Sequence, residues 1–380
     1  MRHVALNAQA IHAVLSEWLK ESPALGVMAL VPEAEKENLP QLQQVCRDLG
    51  IPLAGGIFPA LVHKGGFRTD GVWLIRFEQK APVVLLPNLE PTGSAAAEKI
   101  AKAALAMLSP AEKTGSKPTL FLIFDGMLPN IGSMLEALYS RLADRVRYAG
   151  VNAGSETFQP MPCLFNENEL VGNGVLALLF PGDSTTVLAH GYRPPERMLS
   201  ATSTVGNRIS MIDWRPAFEV YQEIIKAEYG IELTAENFYQ YGVHFPFGML
   251  RANSEVIVRM PVAIAEDGSL FCIGEVPENA MLVLLKSPAP DENGCIQGLA
   301  KTLEAECGVL LGRRLLSFYC AGRRMHLGDG AELELAVLAK ASAVEEFAGA
   351  VSLGEVGCTQ LDGYPMFHNA TLVCTAWGAK

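Results

Sequence analysis

The stretch GVWLIRF at 71 to 77 returns as GVLALLF at 174 to 180, with the same opening Gly-Val and the same closing Phe. A repeat of this kind constrains a fold more than any single motif, because two copies of one unit must be built from the same elements and must bury equivalent faces. The flanks agree in order. Ahead of the first copy, LGVMALV at 25 to 31 reads as a buried strand, LPQLQQVCRDL as a helix, LAGG at 53 to 56 as a small-residue turn and HKGGFRTD as a polar hairpin. After it come the strand PVVLLPN at 82 to 88 and the helix AAAEKIAKAALAML. Beyond the linker SPAEKTGSK the same series restarts with the strand TLFLIFD at 119 to 125. A helical stripe of Met134, Leu135, Leu138, Leu142 and Val146 follows, then a turn YAGV at 148 to 151 matching LAGG, a polar loop NENELVGN, and the strand TTVLAHGY. PAFEVYQEIIK is read as the closing helix, so each unit is β-α-β-β-β-α, one over about 20–108 and the other over 118–227.

From residue 228 the pattern changes to short strands joined by turn residues, with DGS at 267 to 269 the clearest hairpin signal. A helix near IQGLAKTLEAECGVLL, a strand RLLSFYCAG and a helix near AVEEFAGAV follow. The ending SLGEVGCTQLDGYPMFHNATLVCTAW is again a small-residue turn, a polar loop and an apolar strand, a diverged third use of the hairpin element. The expectation is an α/β (α+β) protein, with the two repeated units in residues 1–227 and a mixed α/β domain in 228–380.

Composition excludes several classes. Nearly half of the 380 residues are hydrophobic and 19% are charged, a balance that builds cores rather than disordered chain. The formal charge of −11 argues against nucleic-acid or anionic-membrane partners, which require basic patches. Apolar runs such as VLALLF at 175 to 180 are far short of the roughly 20 residues of a membrane span. The start MRHVALNAQAIHAVLSEW lacks a signal-peptide core, so a cytoplasmic address is expected and the sequon at Asn369 carries no glycan. Eight scattered cysteines without a C-x-x-C pair signal neither a zinc site nor a redox motif.

Candidate chemistry concentrates near the C-terminus. A strand ending in Cys320-Ala-Gly-Arg323 presents its last side chains where ligand pockets form in α/β sheets, and Arg323 suits a carboxylate gripped by two parallel hydrogen bonds. Glu355 lies between glycines in GEVGC, where it either orients toward a ligand or caps a turn. His368 and Asn369 stand at the mouth of the terminal hairpin, facing a ligand or holding the Gly354-Glu355 turn. The acid pairs Glu345-Glu346 and Glu332 with Glu334 read as solvated faces. Any of the seven histidines in an apolar pocket would suffice as an axial haem ligand, and the sequence selects none.

The segments YAGVNAGSETFQ, AHGYRP, DWRPAFEVYQEI, FYCAGRR and SLGEVGCTQLDGYPMFHNATLV together resemble the FIST family, over most of the chain. The most specific matches are Cys320, Gly322, Arg323, Gly354, Glu355, Phe367, His368, Asn369 and Thr371. Asp213-Trp214-Arg215-Pro216-Ala217 departs from the family's Asp-Gly ahead of Pro-Ala. The resemblance implies a small-ligand sensor, with Cys320, Arg323, Glu355, His368, Asn369 and Asn152 as ligand-binding candidates. It also implies a separate signalling partner such as a histidine kinase, cyclase or chemoreceptor. One subgroup binds haem and senses nitric oxide; if this chain is similar, His190 is the first choice for the iron and His244 the second. Other classes stay open: an enzyme acting on a small acyl or amino substrate through Cys320 or Cys358, which predicts a low-pKa thiol, and a pure interaction module.

Overall fold

The computed structural model describes residues 1–378 apart from positions 81, 91, 109–116, 181, 183, 253–254, 345 and 359–362. All of the linker SPAEKTGSK but its last residue, the first two residues of LDGYPMFHNATLVC, and Glu345 therefore lie outside the described residues.

The first unit runs β1 (Arg2–Val4), α1 (Ala8–Glu21), β2 (Gly26–Pro32), α2 (Leu39–Leu49), β3 (Leu53–Phe58), the hairpin β4 (Leu61–His63) and β5 (Gly66–Arg68), and β6 (Val72–Phe77). The second repeats it as β7 (Val83–Leu86), α3 (Gly93–Met107), β8 (Thr119–Asp125), α4 (Ile131–Leu142), β9 (Arg147–Ala153), the hairpin β10 (Leu164–Asn166) and β11 (Leu170–Val171), and β12 (Val175–Phe180). A third unit opens with β13 (Thr185–Ala189) and is interrupted by a long insert. The insert holds β14 (Leu199–Ser200), β15 (Ser203–Val205), β16 (Arg208–Ile212), β17 (Arg215–Pro216), α5 (Ala217–Tyr229), α6 (Phe238–Gly242), β18 (Phe247–Leu250), β19 (Val256–Arg259), β20 (Pro261–Ile264), β21 (Leu270–Cys272) and β22 (Met281–Leu284). The third unit resumes as α7 (Cys295–Cys307), β23 (Arg314–Cys320), α8 (Ala321–Leu327), α9 (Gly330–Ser342), β24 (Glu346–Ser352), the hairpin β25 (Glu355–Gly357) and β26 (Met366–His368), and β27 (Leu372–Trp377).

The α/β class holds, and the repeat is threefold. The sheet orders are β1-β6-β2-β3-β10-β11, β7-β12-β8-β9-β25-β26 and β13-β27-β23-β24-β4-β5. In each sheet the two middle strands are parallel, β2 with β3, β8 with β9 and β23 with β24, as a helical crossover requires. Each hairpin leaves its own unit to extend the sheet of another, so the three sheets are joined in a ring of exchanged hairpins. The shared centre packs Phe58 and Phe121 on Phe318, and Phe121 and Trp377 on Phe180, with ring centroids 5.1 to 5.8 Å apart.

This arrangement explains why TLFLIFD and VLALLF are apolar without alternation. Phe121 and Ile123 of β8 face the shared centre, whereas Leu120, Leu122 and Phe124 face α3 and α4. Strands buried on both faces read as continuous hydrophobic runs. LAGG and YAGV are accordingly not turns but parts of β3 and β9, the second parallel strand of their units. Their glycines occupy equivalent register positions, Ala29 opposite Gly55 and Leu122 opposite Gly150, and the third unit repeats them as Ser317 opposite Gly349. A Cβ at these glycines would stand 2.3, 2.2 and 1.8 Å from the facing carbonyl oxygens of Ala29, Leu122 and Ser317. The small-residue signature marks close backbone approach in a strand.

Two further expectations are corrected for the same reason. AVEEFAGAV is not a helix: its second half is β24, and FAGA is the third copy of the Ala-Gly step, held beside β23. PAFEVYQEIIK, now α5, does not close the second unit. Its apolar face, including Val220, Tyr221 and Ile224, packs into the core of the insert with Phe238 and Phe247. The helix standing before β23, as α3 stands before β8, is α7. At the departure from the family pattern, Asp213 and Trp214 both take left-handed φ values, of 50° and 63°, at the β16–β17 turn, a conformation that favours glycine.

Candidate functional site

Register converts the threefold repeat into a position-by-position comparison. Gly55, Gly150 and Gly349 pair with Phe165, Val356 and Val62 of the exchanged hairpins, so Leu61, Leu164 and Glu355 are equivalent. Directly across their hairpins stand Arg68, Val171 and His368. At the ends of the first parallel strands the equivalent residues are Pro32, Asp125 and Cys320. Where the other units place leucine, the third places a buried carboxyl group, and that departure marks the polar cluster.

Glu355 accepts hydrogen bonds from Ser352 Oγ at 2.6 Å and Thr371 Oγ1 at 2.7 Å. Burial pushes its pKa up to about 7, against the pull of the Ser352 and Thr371 hydroxyls. The Cys320 thiol is raised to about 12, first by burial and then by the Glu355 charge, and its sulfur accepts the Ala370 N–H at 3.1 Å. His368 is fully buried, and neither ring nitrogen makes a hydrogen bond to the described residues. Burial, with the neighbouring His190 and Arg259, drives its pKa down to about 3, while the Gly357 backbone pulls the other way.

Arg323 is buried with Glu334, not poised for a ligand. Its Nε and Nη2 donate to the two Glu334 oxygens at 2.7 and 2.6 Å, and Nη1 donates to His190 O at 2.6 Å and to Ala370 O at 3.4 Å. Tyr319 Oη donates to the same carboxylate at 2.6 Å. Glu334 is therefore no solvated acid: it is 0% exposed and completes a buried ion pair that ties β23, α8 and α9 to the loop after β13. Glu332, two residues earlier, accepts from the Phe67 N–H at the exposed surface.

The cavities lie in front of this cluster, at the C-terminal ends of the parallel strands and beneath the insert, where loops diverge and leave a crevice. One, of about 260 Å³, is bounded by Met127, Asn130 and Asn152 of the second unit, by Cys272 and Gly274 of the insert, and by Phe367. A narrow apolar cleft adjoins it, sharing Phe158, Val262 and Ile273, and reaches Cys320 and Asn369. Asn152 is buried, its backbone pairs with the Leu353–Gly354 turn at 3.0 and 2.8 Å, and its side-chain Oδ1 has no hydrogen-bond partner among the described residues. Asn369 Oδ1 accepts the Met260 N–H at 3.2 Å, joining the insert to the terminal hairpin.

Of the sequence-predicted site residues, the structure brings Asn152, Asn369 and Cys320 to these cavities and sets Glu355, His368 and Arg323 behind them. His190 Nδ1 accepts the Tyr192 N–H at 3.0 Å, and burial, then Arg323, lowers its pKa to about 4. His244 Nδ1 lies 2.6 Å from His326 Nδ1. Neither histidine lines the two cavities described here. Among the described residues there is no cluster of three His, Cys, Asp or Glu able to hold a metal ion, and no helix long and apolar enough to cross a membrane. Sequence reasoning missed Arg259, a buried guanidinium whose signal was an arginine inside the apolar run EVIVRMPVAI.

A model of the FIST N domain matches residues 25–215, and a model of the FIST C domain matches residues 217–358. No curated protein matches the chain.

Proposed function

The chain belongs to the FIST family, a family associated with small-ligand sensing in signal transduction, and on that premise we propose that it binds its ligand in the crevice between the strand ends and the insert. The observation that carries this reading is Asn152, whose buried Oδ1 lacks a partner at the wall of the 260 Å³ cavity. An unpaired buried acceptor costs free energy, and a ligand donor removes that cost. The ligand is therefore a small molecule with an N–H or O–H group directed at Asn152 and an apolar part against Phe158, Ile273 and Phe367.

Signalling follows from where the crevice lies. Its walls belong to different parts of the chain, the second unit, the third unit and the insert, so a ligand that bridges them favours one relative placement over another. The change passes to a separate partner, of which a histidine kinase, a cyclase and a chemoreceptor are the candidate types. A haem-based nitric-oxide sensor is the alternative reading, and neither His190 nor His244 lines the crevice proposed here for the ligand. The test is a thermal-shift screen of purified protein against small polar metabolites, repeated with Asn152→Leu. A stabilising compound whose shift disappears in Asn152→Leu supports the site; hits that stabilise both proteins equally remove Asn152 from it.

A further inference from the structure

The Phe367 ring also borders a second and larger cavity, of about 450 Å³, on the side of the insert facing α4. Arg259, at the end of β19, is 4% exposed and reaches this cavity. Its Nε donates to Glu275 O at 2.8 Å, Nη1 donates to Val258 O at 3.0 Å and Phe367 O at 2.9 Å, and its guanidinium carbon lies 5.7 Å from the Phe367 ring centroid. Nη2 makes no hydrogen bond to the described residues, and no described carboxylate lies within ion-pair distance of the group.

The contrast with Arg323 is direct. Both guanidiniums are buried, but Arg323 grips the two oxygens of Glu334, whereas every hydrogen bond of Arg259 goes to a neutral carbonyl and the Glu275 carboxylate acts on it only from beyond ion-pair distance. Carbonyls satisfy donors without balancing the charge, and a buried cation lacking a counter-charge is strongly disfavoured unless an anion completes it. Burial lowers the Arg259 pKa to about 10 while Cys272 and Glu275 pull it the other way, and the group stays cationic at neutral pH. Glu275 borders the cavity but is engaged elsewhere, accepting the Ser133 N–H at 2.8 Å and the Ser133 hydroxyl at the start of α4. Arg251, Glu136 and Glu278 are exposed around the opening. The deeper wall is apolar, with Ile257, Met249, Met366 and Phe367.

We propose that this cavity is a binding site for an organic monocarboxylate, its charged group on Arg259 Nη2 and its apolar body along Met249, Met366 and Phe367. Glu136 and Glu278 at the opening repel a dianion about twice as strongly as a monocarboxylate, so inorganic phosphate is the more disfavoured of the two. The site is separate from the Asn152 cavity and stands whether or not that one binds a ligand.

Calorimetric titration of the full chain with hexanoate, phenylacetate, hexanamide and inorganic phosphate tests it. Hexanoate or phenylacetate binds, and hexanamide, which keeps the apolar body without the charge, binds about tenfold to a hundredfold more weakly. Arg259→Gln loses carboxylate binding by a similar factor. Because Arg259 also joins β19 to the terminal hairpin, Thr204→Trp, which fills the cavity from β15, serves as a second variant and abolishes binding. The proposal is overturned if neither carboxylate binds, if hexanamide binds as well as hexanoate, if phosphate binds more tightly than both acids, or if either folded variant binds like the parent.

Discussion

Glu355 stands directly across the β25–β26 hairpin from His368, both fully buried, and the two side chains do not hydrogen-bond to each other. The carboxyl group turns to Ser352 and Thr371 while the imidazole lies unpaired beside it. In the other two units the same cross-strand positions hold Leu61 with Arg68 and Leu164 with Val171, so the pair is specific to the third unit.

Glu355 makes stability depend on pH in an unusual direction. Its folded pKa of about 7 lies above the ordinary 4.5, so between those values the folded chain holds a proton that the unfolded chain has released. Stability contributed by this group is complete below pH 4.5 and is lost as pH rises through about 7, by about 3 kcal/mol. Glu355→Gln keeps the hydroxyl contacts without the titration. Urea denaturation is expected to show the variant gaining on the parent between pH 4.5 and 8; parallel stability curves would contradict the buried carboxyl.

His368 acts in the opposite sense. Its folded pKa of about 3 is below the ordinary 6.5, so the unfolded chain binds the proton first and stability falls as pH drops through that window. His368→Leu is expected to be close to neutral at pH 7 and more stable than the parent at pH 5 by about 2 kcal/mol. Proton NMR offers a direct check, since the His368 ring resonances should not titrate between pH 5 and 8.

Arg323→Ala should destabilise the fold by about 3–5 kcal/mol, because it leaves Glu334 buried without its counter-charge. Adding Glu334→Leu to the same chain recovers part of that loss. A double-mutant cycle measured by denaturation decides it, and near-additive losses would mean that the pair is not coupled.

Gly349→Ala places a methyl group against Ser317 O and is expected to cost about 3 kcal/mol or more. Gly298 in α7 is the matched control: no atom lies within 4 Å of its added Cβ, and Gly298→Ala should stabilise by about 0.5–1 kcal/mol. Thermal melting of the two variants, moving in opposite directions, checks the close β23–β24 approach.

Cys320 should resist alkylation in the folded protein. Its thiol is buried and held at about 12, so the thiolate is scarce at neutral pH. Iodoacetamide labelling followed by peptide mass spectrometry measures this; rapid, selective modification of Cys320 would instead favour the reading of an enzyme with a nucleophilic cysteine.

Much of the scaffold was legible because it rests on local periodicity. The recurrence of GVWLIRF as GVLALLF reported equivalent strands β6 and β12, and the terminal hairpin was placed in the equivalent position ahead of β27. The Ala-Gly step is ambiguous in sequence, since glycine marks both turns and close strand approach and only the neighbouring carbonyl distinguishes them. The third unit is obscured in sequence because the insert separates β13 from α7, and because the helix before β24 is α9, with buried Ala331, Leu335 and Leu338, rather than AVEEFAGAV.

By itself the sequence determined the α/β class, the repeated order of elements and the family, since apolar alternation, glycine spacing and motif residues are properties of neighbouring positions. Only the tertiary structure decided that each hairpin extends another unit's sheet, that Arg323 belongs to Glu334, and that Asn152 and Arg259 border cavities. Those facts depend on which distant strands pair and which polar groups lose water, and a buried charge finds its partner in space rather than along the chain.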